Sequence, residues 1–367
     1  MSVTNQLFSK EKKKMKKLTI FVLIATLLLS VMLISCDMAG GNGGETTEAP
    51  KPESPIEGCT GVQFALSEDG KYYFLRSVRE VNQPDIVIPS TYEGLPVVSI
   101  SNYAFRNCTT LKSIVIPDSV QQIGIESFAN CTALESVTME GIISIGIDAF
   151  DGCTSLKNVS VSDTIESISL SSFSDCANIV YTESEGGKYL GNEANPYAAL
   201  MELVSTDITS FKVNAATKAI ADAVFYDCTH LSSVEIPASV TSIGSSAFSG
   251  CENLTSVTFE EGSQLKWIWD YAFEDCEYLC NMTIPSGTLY IGEQAFSGCK
   301  NLGSLFIPAS VETVGYYAFT NTMRTGYDAI YYVKIYCEAE SCPAGWHSQW
   351  NGYYDNDCEV VWGSTGN

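Results

Sequence analysis

The chain has 367 residues, of which 45% are hydrophobic and 17% are charged, a composition that excludes an intrinsically disordered protein. Its formal net charge of −23 repels phosphate and argues against nucleic acid as a partner. Only two histidines are present, His230 and His347, so histidine-based catalysis has few candidates.

The first segment predicts export. A cationic stretch, KEKKKMKK at 10–17, precedes an apolar run at 18–34 that is short for a membrane span. The run ends in Leu33-Ile34-Ser35-Cys36, which resembles the lipobox of bacterial lipoproteins. That resemblance implies a signal peptide at residues 1–35, a lipid on Cys36, and a protein anchored outside a bacterial membrane, at the cell surface. An uncleaved anchor helix is the alternative, and either Met1 or Met15 can be the start.

Residues 36–58 predict a flexible tether. Gly, Pro, Glu and Thr dominate this segment, and no apolar residue recurs at a structural period. Its GGNGG run does not indicate a phosphate loop, because no strand precedes it and no helix follows. The tether would hold the folded part away from the membrane.

The body of the chain is one repeat. LSSVEIPASVTSIGSSAF at 231–248 recurs as LGSLFIPASVETVGYYAF at 302–319, and successive units are 22–25 residues apart. Cys follows the unit's Phe by three residues at eight positions: Cys108, Cys131, Cys153, Cys176, Cys228, Cys251, Cys276 and Cys299. We expect these cysteines to be small, buried, free thiols, because each occupies the same step of a stack. No CxxC spacing suggests a metal site.

This period predicts a leucine-rich-repeat solenoid, mainly β with short turns and helical segments. Alternating apolar residues indicate a short strand with one face inward, and each unit must stack on its neighbours to bury that face. We assign the solenoid to residues 98–322.

Three segments depart from the repeat. VQFALSEDGKYYFLRSV predicts a β-hairpin around Asp69-Gly70, within an N-terminal cap and first rung at 59–97. A 52-residue interval between Phe173 and Phe225 contains KYLGNEANPYAALMEL, which predicts a protruding hairpin at about 185–205. A Trp- and Tyr-rich segment at 323–367 predicts a C-terminal cap, because terminal strands otherwise leave unpaired edges.

These motifs resemble the BspA-type leucine-rich-repeat family. The resemblance covers nearly all of residues 60–363 and is carried by IPSTYEGLPVVSI at 88–100, the AFxxC units, GNEANPYAALMEL at 191–203, and IYCEAESCPAGWHSQWN near the C-terminus. It implies a secreted or surface-tethered bacterial protein, and some family members are implicated in adhesion to host or neighbouring-cell proteins.

No catalytic motif is present. The sequence lacks a nucleophile elbow, a zinc-binding HExxH, a phosphate loop and a dinucleotide fingerprint. We therefore expect no enzyme activity, no cofactor and no metal; the alternating Asp355, Asp357 and Glu359 lack the glycine of a calcium loop. Five cysteines lie outside the repeat and the lipobox, and the sequence does not choose a disulfide pair among them: Cys59, Cys280, Cys337, Cys342 and Cys358.

One aromatic group stands out, at LKWIWDYAF. Trp269 replaces the usual Gly, and Trp267 shares its repeat phase with Tyr290 of the next unit. With Tyr271, these residues are the candidate ligand-binding patch, since exposed aromatic clusters often mark contact with a protein or glycan. The alternative is structural: Trp269 fills a widened turn.

Together these features predict a lipid-anchored surface protein that binds a macromolecular partner, an extracellular protein or a glycan. We expect a monomer that contacts the membrane only through its lipid. A surface-coat or spacer protein without a specific ligand is the alternative function.

Overall fold

The repeats fold as short parallel strands, as their alternating apolar residues require. The computed structural model describes residues 56–280, 282–322, 324–325, 330–331, 333–352 and 358–365, which belong to one unit, residues 53–367. The predicted signal peptide, Cys36, the tether up to residue 55, and Asp355 and Asp357 lie outside the described residues. Within the described part of the chain, no helix is long and apolar enough to cross a bilayer.

A hairpin closes the N-terminal end, as predicted. The first seven strands are β1 (Cys59–Thr60), β2 (Gln63–Leu66), β3 (Tyr73–Ser77), β4 (Glu80–Val81), β5 (Asp85–Val87), β6 (Thr91–Tyr92) and β7 (Leu95–Ile100). Strands β2 and β3 pair antiparallel, and β3 then pairs in parallel with β7. The predicted tether extends too far, because Ile56 is buried and the Gly58 carbonyl accepts a hydrogen bond from the Asn82 amide.

Each following unit contributes a longer strand and a two-residue strand. The next six are β8 (Ser113–Ile116), β9 (Gln122–Ile123), β10 (Ser136–Met139), β11 (Ser144–Ile145), β12 (Asn158–Val161) and β13 (Ser167–Ile168). Strands β5, β8, β10 and β12 form what we term the first ladder, and β7, β9, β11 and β13 form the second. Pairing is parallel and in register, so equivalent residues stack: Ile123, Ile145 and Ile168 lie side by side. A short 3₁₀ helix, Leu170–Phe173, follows β13.

The inserted hairpin is part of the solenoid and does not protrude. Strands β14 (Thr182–Ser184), β15 (Gly187–Leu190) and β16 (Ala199–Leu203) pair antiparallel in sequence order. Strand β16 then pairs in parallel with Ala219–Ile220 and so serves as a strand of the second ladder. The reason is burial: Tyr189 and Leu200 are fully buried, which a protruding hairpin could not achieve.

Nine further strands continue both ladders. They are β17 (Ser210–Lys212), β18 (Ala219–Ile220), β19 (Ser233–Ile236), β20 (Ser242–Ile243), β21 (Ser256–Phe259), β22 (Trp267–Ile268), β23 (Tyr290–Ile291), β24 (Ser304–Ile307) and β25 (Thr313–Val314). The second ladder runs unbroken from β16 through β18, β20, β22 and β23 to β25. In the first ladder, β17, β19 and β21 pair in that order, and the described residues between β21 and β24 add no first-ladder strand.

The C-terminal segment extends the first ladder and covers the core. Its strands are β26 (Arg324–Thr325), β27 (Ile330–Tyr331), β28 (Val333–Cys337) and β29 (Cys358–Val361). Strands β24, β28 and β29 pair in parallel. Trp350 meets the last repeat phenylalanine, Phe319, edge-on at a centroid distance of 5.8 Å, and Trp346 and Trp362 pack against Trp350. This aromatic group shields the end of the stack from water.

Phenylalanine rings form the centre of the core. One ring per unit stacks on the next at centroid distances of 4.6–5.3 Å, with planes within 11° of parallel. One stack runs from Phe105 to Phe173 and a second from Phe225 to Phe319, separated by the insertion. All but Phe173 are fully buried. Stability is therefore a sum of contacts between neighbouring units.

The repeat cysteines are buried free thiols, as expected, and they also donate hydrogen bonds. Six thiols donate to the carbonyl oxygen of the preceding unit's phenylalanine, with S···O distances of 3.0–3.2 Å: Cys131, Cys153, Cys176, Cys251, Cys276 and Cys299. Cys108 and Cys228 belong to the first unit of each stack, so no stacked phenylalanine precedes them whose carbonyl could accept such a bond. Burial raises the pKa of Cys251 to about 12, so the thiol stays protonated and remains a donor.

The register of the cap excludes one disulfide. All thirteen described cysteines are free. Cys358 lies opposite Val333 in the β28–β29 pair, whereas Cys337 is at the other end of β28. Four residues of strand separate the two positions by about 13 Å, well beyond disulfide reach.

A left-handed turn precedes every repeat cysteine. The residue two after the phenylalanine has a positive φ in all nine units: Asn107, Asn130, Gly152, Asp175, Asp227, Gly250, Asp275, Gly298 and Asn321. Only Asn, Asp and Gly occur there, the residues that adopt this conformation most readily. The turn therefore explains why the second x of the AFxxC pattern is always Asn, Asp or Gly in these units.

Candidate functional site

The outward face of the second ladder carries the predicted aromatic residues. In β20, β22 and β23 the isoleucine is buried, and the preceding residue points away from it. In-register pairing places Ser242 beside Trp267 and Trp267 beside Tyr290. The shared repeat phase of Trp267 and Tyr290 therefore makes them direct neighbours, as the sequence indicates.

Three of the four candidate residues form one group, which we term the aromatic cluster: Trp267, Trp269 and Tyr290. The two indoles lie 5.8 Å apart with planes 17° from parallel, and the Tyr290 ring is 5.3 Å from Trp269. The Trp269 indole donates to the Ser242 hydroxyl at 2.9 Å and helps to bury it completely. The rings are half-buried, because packing against one another covers part of each ring.

Tyr271 is placed differently. Its hydroxyl donates to Glu293 Oε1 at 3.2 Å and accepts from Gln294 Nε2 at 3.3 Å. Its backbone has a φ of 59°, which directs the chain through a tight turn. Tyr271 is thus tied to the neighbouring unit by hydrogen bonds and shows no ring contact with the aromatic cluster.

A tryptophan at position 269 departs from most units, which have Gly there. A Cβ on Gly124 or Gly244 would lie 2.5–2.7 Å from backbone atoms of the preceding unit and 2.6 Å from the Oδ1 atom of Asn102 or Asp222. Before Trp269 the residue equivalent to Asn102 and Asp222 is Ser245, which has no carbonyl oxygen on its side chain. The absence of that oxygen removes one of the close contacts that favour Gly at this position.

Those Asn and Asp residues form a second signal, three residues before the phenylalanine. Asn102 Oδ1 accepts from the Ile125 amide at 2.9 Å, Asp222 Oδ1 from Ser245 at 2.8 Å, and Asp270 Oδ1 from Glu293 at 2.8 Å. Each bond links one unit to the next. Asn102 shows that an uncharged amide satisfies this geometry.

The two aspartates are therefore ionisable groups in a place where an uncharged amide is sufficient. Burial, with a smaller contribution from the nearby Asp270, raises the pKa of Asp222 to about 7, although the hydrogen bond from the Ser245 amide partly opposes the rise. Burial likewise raises the pKa of Asp270, whose carboxylate also accepts from the Tyr290 hydroxyl at 3.2 Å. Desolvated carboxyl groups of this kind are common at functional sites.

A third carboxyl group reaches the cluster from a distant unit. Glu166 lies 3.8 Å from Lys266 Nζ, although the two residues are 100 positions apart. Burial raises the pKa of Glu166, while Lys266 and a hydrogen bond from the Trp267 side chain partly oppose the rise. Glu166 was not predicted from the sequence: it lies seven residues before Phe173, as Lys266 lies seven before Phe273, but repeat phase does not indicate contact between units that are not neighbours. Asp222 and Asp270 could have been found from the phase that they share with Asn102.

This arrangement suits binding and offers no nucleophile. The aromatic faces and carboxylates can contact a cation or hydrogen-bond a hydroxyl group. Among the residues that the structure describes, no group of three or more His, Cys, Asp or Glu side chains could hold a metal ion. His230 is exposed and lies 3.2 Å from Asp207, and His347 is an exposed residue of the cap.

A separate groove of about 710 Å³ lies on the first ladder. It forms where β21 and β24 are not joined by a strand, and Phe259, Met282, Phe306 and Tyr336 line it. None of the aromatic-cluster residues lines this groove. The two surfaces are carried by different ladders.

Two stacked ladders with a 22–25-residue unit define a leucine-rich-repeat solenoid. The model of the BspA type leucine rich repeat region matches residues 77–195 and 203–325 in six copies, so the chain belongs to this family. Proteins of this family are bacterial cell-surface proteins, and leucine-rich repeats generally mediate protein interactions. No curated protein compared with the chain matches it.

Solved structures that are similar to the chain include the following three. A leucine rich cell surface protein of Faecalibacterium prausnitzii is 22% identical, with 87% of this chain and 100% of that chain covered and a TM-score of 0.37. A leucine-rich repeat protein of Bacteroides ovatus is 21% identical, with 82% and 98% covered and a TM-score of 0.32. The pneumococcal vaccine antigen PcpA is 16% identical, with 84% and 98% covered and a TM-score of 0.39.

Proposed function

We propose that the protein is a lipid-anchored cell-surface protein that binds an extracellular protein or glycan through the aromatic cluster. Membership of a surface-protein family supports display outside the cell. The observation that carries the proposal is the presence of half-buried carboxyl groups with raised pKa, at Asp222 and Asp270, on the same face as half-buried Trp and Tyr rings.

A surface coat or spacer would not need this arrangement. Asn102 makes the same link between units without a charge, so the aspartates add nothing that stacking alone requires. A buried charge lowers stability, and such a cost is typical of residues kept for binding. The cluster therefore favours a specific ligand over a spacer.

Binding can be tested with an array of extracellular-matrix proteins and glycans, probed with the full chain purified in detergent. A true ligand should bind wild type and bind Trp267→Ala at least tenfold more weakly, because aromatic anchors dominate interface energies. Tyr226→Ala is the matched control, since Tyr226 is 53% exposed and lies outside the cluster. If no array component binds, or if both variants bind alike, the spacer function is favoured.

The lipid anchor is tested separately. We expect Cys36→Ala to abolish labelling with a radioactive fatty acid and to leave the precursor uncleaved, because the thiol is the acceptor of the lipid. Persistent labelling in that variant would overturn the proposed anchor.

We further propose that the protein acts as a monomer, without a cofactor and without catalysing a reaction. The repeat fold presents an extended surface, and the described site has no nucleophile beside a general base. Sedimentation of the purified chain and a hydrolase panel test both points; a dimer or a turned-over substrate would contradict them.

A further inference from the structure

Carboxyl groups outnumber cations around the aromatic cluster. Asp270 accepts from the Tyr290 hydroxyl, Glu166 hydrogen-bonds to Trp267, and Asp222 is close enough for Asp270 to raise its pKa. Within the described residues, Lys266 is the one cation that opposes the raised pKa of any of these three carboxyl groups, and it acts on Glu166 alone. Asp222 and Asp270 thus share a face with the rings without a cationic partner that stabilises their ionised form.

A cation beside Asp222 and Asp270 is the group that this surface lacks. The faces of Trp and Tyr attract guanidinium and ammonium groups, and the attraction grows when both are partly desolvated. A carboxylate that has lost water regains stability from an opposite charge within hydrogen-bonding distance. The hydroxyl groups of a neutral glycan supply hydrogen bonds but no compensating charge. The chain's net charge of −23 would also steer a cationic segment towards it.

We propose that the aromatic cluster of Trp267, Trp269 and Tyr290 docks a cationic segment of the protein partner, with an arginine or lysine side chain over the rings and beside Asp270 and Glu166. This inference rests on the proposed function and narrows its ligand class from protein or glycan to a basic protein segment. Lys266 already neutralises part of this surface from within the chain, 3.8 Å from Glu166, and marks where a positive charge is accepted.

The probe is a fluorescent peptide of about twelve residues in which Arg alternates with Gly. A matched peptide carries citrulline, which keeps the shape of Arg and removes its charge; a third carries Glu, and maltohexaose represents a neutral glycan. We expect the full chain to bind the Arg peptide at least tenfold more tightly than the citrulline peptide, and to bind it more weakly as salt is added.

Four variants assign the binding to the cluster. Trp267→Ala should weaken binding of the Arg peptide roughly tenfold, and Asp270→Asn or Glu166→Gln roughly fivefold each. Lys266→Gln should act in the opposite direction and tighten binding roughly threefold, since it removes a competing cation. Glu235→Gln is the charge-matched control: Glu235 lies on β19 of the first ladder, is 62% exposed, and should leave the affinity unchanged.

The outcomes separate this inference from the broader function. Equal affinity for the Arg and citrulline peptides, or tighter binding of maltohexaose, would overturn the proposal that the cluster docks a cationic segment. If a ligand from the array loses affinity in Trp267→Ala but not in Asp270→Asn or Glu166→Gln, the binding function stands and this inference fails. If the Arg peptide binds Trp267→Ala as well as wild type, it binds outside the cluster and this inference fails; if the array ligand also binds that variant as well as wild type, the proposed function fails too.

Discussion

Replacing Asp222 with Asn should stabilise the protein at neutral pH. The Asp222 carboxylate accepts one hydrogen bond, from the Ser245 amide, and an amide oxygen can accept the same bond, as Asn102 does one stack earlier. The substitution therefore keeps the link between units and removes only a buried ionisable group.

The magnitude follows from the pKa of Asp222, which is about 7 in the folded chain against 3.8 as its ordinary value. Between these two pH values the folded state holds a proton that the unfolded state has released, so wild-type stability falls as the pH rises through this window. The variant lacks this loss. Its stability advantage should be near zero below pH 3.8, about 2 kcal/mol at pH 5, and on the order of 4 kcal/mol at pH 7.

The assay is urea unfolding of wild type and Asp222→Asn, followed by circular dichroism at several pH values between 4 and 8. The matched control is Asp118→Asn, which makes the same substitution at an exposed position outside the cluster. An Asp222→Asn advantage that is the same at pH 5 and pH 7, or a net destabilisation at pH 7, would refute the description of Asp222 as a desolvated carboxyl group.

Four further outcomes test the core and the cluster. Phe248→Ala removes a fully buried ring stacked between Phe225 and Phe273 and should cost about 3–5 kcal/mol in urea unfolding; a loss under 1 kcal/mol would contradict the stack. Cys251→Ala should lower the free energy of unfolding by about 1 kcal/mol more than Cys251→Ser, because only serine can still donate to the Phe225 carbonyl. Equal losses would show that the hydrogen bond of the thiol does not contribute to stability. Thiol counting on the denatured chain without reductant should find at least eight free thiols. If most cysteines were instead paired, the repeat cysteines would form a disulfide scaffold and not a row of free thiols. Trp267→Ala should lower stability by about 1–2 kcal/mol, less than Phe248→Ala, because its ring is half-buried; an equally severe loss would make the aromatic cluster part of the core.

Much of the fold is predictable from the sequence because the repeat is a local pattern. A unit of 22–25 residues with apolar alternation has one way to bury its inward face, which is to stack in register on the next unit. The phenylalanine stack, the buried free thiols and the N-terminal hairpin follow from that requirement. So does the adjacency of Trp267 and Tyr290, since residues of equal phase in neighbouring units must pair.

The tertiary structure decided the features that depend on contacts between particular units. The inserted hairpin contributes β16 to the second ladder because its apolar residues are buried only there, which no local turn signal could indicate. The cysteine hydrogen bonds require the offset between one unit's thiol and the previous unit's carbonyl. Glu166 reaches Lys266 and Trp267 across 100 residues, a contact set by the path of the whole solenoid between the two units. Periodicity specifies which residues share a row; the geometry of the stack decides which rows approach closely enough to act together.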